Sequence, residues 1–188
     1  MVPSEVRDIP YARTSAWKHQ KEAYWFAHDR PAVLLAICMG GGKSKVVIDL
    51  IVNAGLSKTL IVCPLSVVDV WVSQFEAHGD GLLNVLPLGA DSGSVADKVF
   101  HAKRRLFPSV TVINYESVWR EPFRNWALSQ TWDLIVMDES HRLKAPGSKV
   151  SLFASSLSKN AKRRMCLSGT PASHSPADLY AQFRFLDK

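Results

Sequence analysis

The run Met39-Gly40-Gly41-Gly42-Lys43-Ser44 combines residue types that suit a polyphosphate. Glycines let backbone N–H groups approach phosphate oxygens closely, and the N-terminus of a following helix points partial positive charge at the anion. A lysine such as Lys43 can then reach the terminal phosphates, and a hydroxyl such as Ser44 can help hold Mg²⁺. The general phosphate-loop pattern has glycine six positions before the lysine, where this chain has Ile37. Taken by itself, the run also suits a flexible turn. A second run, Leu134-Ile135-Val136-Met137-Asp138-Glu139, is an apolar strand ending in two adjacent carboxylates. An acid at the end of a buried strand is costly unless something there uses it. Beside a phosphate loop, Asp138 suits Mg²⁺ and Glu139 suits the attacking water. In isolation the pair also fits an ordinary solvated strand end.

The elements that must hold these residues follow from hydrophobic patterning. Strand-like runs occupy Val33–Cys38, Thr59–Pro64, Asn84–Leu88, Val110–Tyr115, Leu134–Glu139 and Met165–Ser168. Most are rich in Val, Ile and Leu without polar alternation, as strands buried on both faces of a parallel sheet are. Helical punctuation lies between them. Ser66-Val67-Val68-Asp69 predicts a capping box opening a helix through Phe75, and Ser175-Pro176-Ala177-Asp178 predicts another with proline at its first position. After Gly42, Val46, Val47, Leu50, Ile51 and Ala54 mark one face of a helix. The alternation predicts an α/β fold: a doubly wound, mainly parallel sheet flanked by helices, one domain over residues 1–188. Ligands of such sheets bind beyond the carboxyl ends of the strands. That is where Gly40–Ser44, Asp138–Glu139 and Ser168–Pro171 fall.

Composition narrows the classes. With 188 residues, 47% hydrophobic and 21% charged, the chain suits one globular domain and excludes disordered, collagenous and coiled-coil classes. No apolar run approaches the roughly 18–20 residues of a membrane span. The first residues lack the pattern of a secretory signal, so a cytoplasmic protein is expected, in the nucleoid or nucleus where one exists. Cys38, Cys63 and Cys166 are scattered, giving no metal spacing and no disulfide framework. Each reads as a small buried apolar residue. The net charge of +6 is uneven: residues 1–139 carry −1 and residues 140–188 carry +7. Such an excess is either a solvated surface or a face for a polyanion, and composition does not choose.

Asp138-Glu139-Ser140-His141 resembles the Asp-Glu-x-His box of superfamily-two helicases. The longer run through Arg142-Leu143-Lys144 resembles the Swi/Snf group of double-stranded-DNA translocases. Cys63-Pro64-Leu65-Ser66, followed by Trp71, Gln74 and Phe75, is similar to that group's second motif, which touches the tracking strand. Ile113-Asn114-Tyr115-Glu116 resembles a further DNA-contacting element, and Leu167-Ser168-Gly169-Thr170-Pro171 resembles the third motif. His19-Gln20 is similar to the segment whose glutamine reads adenine. The resemblance runs from about Tyr11 to Leu186 and implies a RecA-like phosphate-loop lobe.

The resemblance also implies roles. Gln20 would bond the adenine edge, and Met39, Gly40, Gly41, Gly42, Lys43 and Ser44 would bind ATP. Ser44 and Asp138 would hold Mg²⁺, Glu139 would activate water, and Lys43 would assist it. His141, Ser168 and Thr170 would couple nucleotide state to DNA grip. Pro64, Leu65, Ser66, Asn114 and Tyr115 would face double-stranded DNA. The family's engine has two lobes, the second supplying arginines to the γ-phosphate. The sequence stops soon after the third motif and is expected to be a first lobe, cut or naturally short. Its partner lobe would come in cis or separately, and it would turn over little alone. Arg163 and Arg164 precede the third motif and read as a basic strand start or surface. The alternatives are a freestanding regulatory or decoy module that binds nucleotide or DNA without catalysis, and a small phosphate-loop phosphotransferase unrelated to DNA.

Overall fold

The computed structural model describes residues 6–104, 106–143, 146–172 and 177–187. Six strands in them form one parallel sheet: β1 (Ala32–Ala36), β2 (Lys58–Cys63), β3 (Asn84–Leu88), β4 (Ser109–Asn114), β5 (Trp132–Asp138) and β6 (Ala161–Ser168). Their order across the sheet is β1-β6-β5-β2-β4-β3. The helices are α1 (Lys18–His28), α2 (Lys43–Asn53), α3 (Val68–His78), α4 (Val95–Lys103), α5 (Tyr115–Val118), α6 (Phe123–Leu128), α7 (Lys149–Ser158) and α8 (Asp178–Leu186). Among the described residues no helix is long and apolar enough to cross a membrane.

The sheet is covered on both faces because successive side chains of each strand point to opposite sides. Ile61, Val110, Val112, Leu134 and Val136 pack on the side of α1, α2 and α3. Their neighbours Leu60, Ile113, Ile135 and Met137 pack on the side of α6, α7 and α8. Two buried faces explain the unbroken apolar runs in the sequence. Helix α2 goes further: beside Val46, Val47, Leu50 and Ile51, it buries Ile48 and the ion pair Lys45–Asp49, whose Nζ and Oδ2 are 2.8 Å apart. It is therefore enclosed nearly all round rather than on one face.

Three local expectations are revised. The turn before α3 is a 3₁₀ segment, Leu65–Val67, and the helix starts after Val67 with no side-chain cap, so Ser66 is an exposed turn residue and not an N-cap. Side-chain caps form instead at Ser94, which accepts from Asp97 N, and at Ser148, which accepts from Ser151 N. Strand β6 begins four residues earlier than its apolar run, at Ala161, because Lys162, Arg163 and Arg164 each have a strand-compatible place. Lys162 pairs with Asp133 at 2.8 Å, Arg163 caps the carboxyl end of α1 through the carbonyls of Ala27, His28 and Arg30, and Arg164 is buried. Arg164 is thus no surface residue. Ser175 and Pro176, expected to open α8, and Lys144 lie outside the described residues.

Candidate nucleotide site

The strand order places the ends of β1, β6 and β5 side by side. At about 4.8 Å per strand, the loop after β1 and the acids after β5 sit about 10 Å apart with the β6 loop between them. Gly169, just past β6, lies against the phosphate-loop run: a Cβ there would be 3.4 Å from Met39 N and 3.6 Å from Ile37 O.

The glycine run has the conformation that only glycine accepts readily. Gly40 and Gly42 have φ of +76° and +78°, and Gly42 is the left-handed N-cap of α2. A Cβ on Gly42 would run into the Gln20 side-chain amide, and one on Gly41 would come 2.5 Å from Ile37 Cγ2. Lys43 donates to the carbonyls of Ile37 at 2.9 Å and Cys38 at 3.3 Å, so its ammonium lies across the loop. Ser44 follows in the first turn of α2, partly accessible. Met39 is 83% exposed, so only its backbone is placed to serve the loop.

Gln20 braces this loop from below. Its Oε1 accepts from Trp17 N at 2.9 Å, closing the first turn of α1, and its Nε2 donates to Gly41 O at 3.3 Å. His19 Nε2 donates to the same carbonyl at 2.9 Å. Gln20 is buried, with its amide engaged on both sides. Beside it opens a groove of about 550 Å³ lined by Trp17, His19, Ala23, Ile37 and Met39. Sequence patterning did not single out Trp17, yet it stands 61% exposed at the mouth of this groove.

Asp138 ends β5 nearly buried. Its Oδ2 accepts from Trp71 Nε1 at 3.0 Å, its Oδ1 accepts from Glu139 N at 2.9 Å, and its carbonyl accepts from Tyr115 Oη at 2.8 Å. Burial raises the Asp138 carboxyl above its ordinary range; the Trp71 N–H opposes the rise, while the neighbouring Glu139 charge adds to it. Glu139 adopts φ of +49°, a left-handed conformation unusual for a non-glycine residue and of a kind that collects at functional sites. Its carboxylate lies 3.3 Å from His141 Nδ1. The same nitrogen is 3.4 Å from Ser168 Oγ, which accepts from Thr170 N at 3.1 Å. His141 therefore stands between the acidic pair and the β6 loop. A second link, which no pattern in the sequence announced, is Gln182: it accepts from Ser140 Oγ at 2.7 Å and donates to Pro171 O at 2.7 Å.

The residues present suit Mg²⁺ and a nucleoside triphosphate. Among the described residues no three His, Cys, Asp or Glu side chains gather as a metal cage. Mg²⁺ typically takes only one or two carboxylates, completing its shell with water and phosphate oxygens. A single buried carboxylate at the end of β5, two strands from the glycine loop after β1, matches that demand.

The DNA-side expectations divide. Leu65 and Ser66 are exposed at the mouth of the β2 loop, with Pro64 buried behind them. Asn114 and Tyr115 are turned inward, each 4% exposed. Asn114 accepts from buried Lys98 at 3.1 Å and donates to Glu116 at 2.8 Å, and the Tyr115 hydroxyl is spent on Asp138. Burial lowers the Lys98 ammonium's proton affinity and raises the Tyr115 hydroxyl well above the ordinary phenol range. The cysteines also divide. Cys63 and Cys166 are buried, and burial pushes both thiols up, Cys166 to about 12, but Cys38 is exposed beside the phosphate loop.

The SNF2-related domain matches residues 11–188. A probable global transactivator of Orgyia pseudotsugata multicapsid polyhedrosis virus is 33% identical across 81% of this chain and 30% of its own length. The DNA repair and recombination protein RAD54B of Homo sapiens is 29% identical across 95% of this chain and 21% of its own. The SWI2/SNF2 ATPase core of Sulfolobus solfataricus in complex with dsDNA shares the fold, with a TM-score of 0.80 at 22% identity, over 97% of this chain and 38% of that one. The chain thus spans under a third of these two curated relatives. With the RecA-like fold and a family match over nearly its whole length, the chain belongs to the SNF2-related family.

Proposed function

We propose that this chain is the Mg-ATP-binding first lobe of a DNA-stimulated ATPase whose complete form moves along double-stranded DNA. The observation that carries the reading is the convergence at one sheet edge of the left-handed glycine loop with Lys43, the buried Asp138, and His141 between Glu139 and Ser168. Bound Mg-ATP would supply the γ-phosphoryl bond that is hydrolysed. The loop N–H groups and Lys43 would hold the phosphates, Lys43 exchanging the Ile37 and Cys38 carbonyls for them. Ser44 and Asp138 would hold the cation. Glu139 would orient the attacking water and take its proton, the role of a water-positioning residue in phosphoryl transfer.

The groove beside Trp17, His19 and Met39 would take the base, with Gln20 shaping its floor through Gly41. His141, Ser168 and Thr170 would transmit phosphate state, because a shift of Glu139 is felt at His141 and then at the β6 loop. Leu65 and Ser66, on buried Pro64, would meet the DNA. Asn114 and Tyr115 would support that edge from inside. Contacts to the DNA backbone carry no sequence information, so binding should be sequence-tolerant and weaken steeply with salt. A second lobe, in the same polypeptide or supplied separately, would bring the arginine that such reactions use, worth about 10³–10⁵ in rate.

Lys43→Ala tests the reading. Calorimetric titration with Mg-ATP should show binding to the wild-type chain and none to the variant, with superimposable circular dichroism. Retained affinity in a folded variant sinks the phosphate assignment.

A further inference from the structure

Helix α3 reaches the acidic site through one atom. Trp71, 1% exposed, donates its indole N–H to Asp138 Oδ2 at 3.0 Å. The other carboxylate oxygen receives the Glu139 backbone N–H at 2.9 Å. Both donors are neutral, so they fix the plane of the carboxylate and leave its negative charge and remaining lone pairs for a cation. A lysine or arginine in the place of Trp71 would have neutralised it. The indole is itself fixed, since Val68, Trp71 and Phe75 form the buried face of α3 and the Trp71 and Phe75 rings lie 6.1 Å apart. The helix starts directly after the Leu65–Val67 turn, whose Leu65 and Ser66 are exposed.

Resting on the nucleotide-site reading above, we infer that Trp71 is a positioning residue for Asp138, and that contact of the Leu65–Ser66 turn with a nucleic-acid backbone is conveyed to the cation site through α3 and this hydrogen bond. The physical ground is general: a donor behind a ligating carboxylate fixes the geometry a cation meets, and removing such a partner costs about 10–100-fold in metal affinity. The length of the lever is short. Trp71 lies within the first two turns of α3, so a tilt of the helix start moves the indole N–H directly.

The test uses the 188-residue chain with Trp71 replaced by 3-benzothienylalanine, which keeps the bicyclic shape and puts sulfur where the N–H was. ATP affinity is measured with Mg²⁺ and with EDTA. Affinity should fall at least about tenfold in the Mg²⁺ arm and stay unchanged in EDTA. Equal Mg²⁺-ATP affinity in both chains overturns the inference. Should the substituted chain not fold, the wild-type chain decides. The Trp71 indole ¹H–¹⁵N cross-peak, assigned by through-bond experiments, is followed as Mg²⁺-ATP and, separately, a twelve-base-pair duplex without nucleotide are added. Movement with both supports the inference; a peak still under either overturns it. A wild-type chain that binds no ATP in either arm is a different result, which overturns the nucleotide-site reading itself and this inference with it.

Discussion

Tyr115→Phe separates a core tyrosine from a DNA-contacting one, because it deletes a single oxygen and keeps the ring. In the structure that oxygen donates to the Asp138 carbonyl at 2.8 Å, and the side chain is 4% exposed. The variant keeps the packing among Val118, Phe123 and Leu143 but leaves a buried carbonyl one partner short. Loss of a buried partner costs about 1–3 kcal/mol. For a chain of this length each kcal/mol shifts the midpoint by about 2–4 °C, so about 2 kcal/mol lowers Tm by roughly 4–8 °C. Calorimetric melting of both chains at equal concentration measures this. Duplex affinity at two salt concentrations, measured well below either midpoint, should be unchanged, since the hydroxyl does not face the surface. An unshifted midpoint with weakened duplex binding would refute the placement of Tyr115 inside the core and return it to the DNA surface.

Gly42→Ala forces a left-handed φ of +78° on an L residue, costing about 1–2 kcal/mol, and drives a methyl into the Gln20 amide. Tm should fall by roughly 2–8 °C and ATP affinity with it; a variant of unchanged affinity in titration argues against the loop's role. Arg163→Ala uncaps α1 and should lower the melting midpoint by roughly 2–4 °C for about 1 kcal/mol, without changing the salt slope of duplex binding. A flatter salt slope would place Arg163 on the DNA. Burial works against the Asp133 carboxylate, but bonds from Lys162, the Lys58 N–H and Ser57 outweigh it and hold its proton affinity below the ordinary value. The folded chain therefore binds that proton more weakly than the unfolded one. The resulting stability is present above the unfolded pKa of about 3.9 and is lost as pH falls through the lower folded value. Asp133→Asn should cost about 1 kcal/mol at pH 7 by urea unfolding, and the gap should narrow as pH drops below about 4; a constant gap rejects the charge-based account.

The sheet was legible because its strands are buried on both faces, which leaves uninterrupted Val, Ile and Leu runs that even a short window detects. Asn84–Leu88 coincides with its run, and the other strands differ at their ends. Strand β6 was half hidden because Lys162, Arg163 and Arg164 look like surface, although each is spent on a carboxylate, a helix end or the interior. Part of the basic excess after residue 140 is spent within the chain in the same way. Arg164 is buried, and the partly exposed Arg163 and Arg184 bond neighbouring segments, Arg184 reaching Pro146 O and Ser151 Oγ. Lys43, Ser44, Asp138 and Glu139 stood out because chemistry demands those types at strand ends. Gln182 and Trp17 did not, since a glutamine within a helix and a tryptophan before one carry no positional signature. Their neighbours in space come from distant segments.

The position of β6 sets the order in which this molecule can be finished. Among the described residues β1 pairs with β6 alone, while β5, β2, β4 and β3 make a continuous sheet without either. The ribosome delivers β1 (Ala32–Ala36) long before β6 (Ala161–Ser168), and in that interval the first strand has no neighbour to join. The glycine loop and the acidic pair come into register only when the late strand slides between β1 and β5. A product that ends between β5 and β6 carries the glycine loop and the acidic pair in its sequence without the strand that brings them together. Because that closing contact spans most of the chain, it carries a large loop-closure entropy and belongs among the slow steps of folding. The arrangement ties assembly of the candidate site to the arrival of β6, so a nascent fragment that stops short of that strand holds the two halves apart.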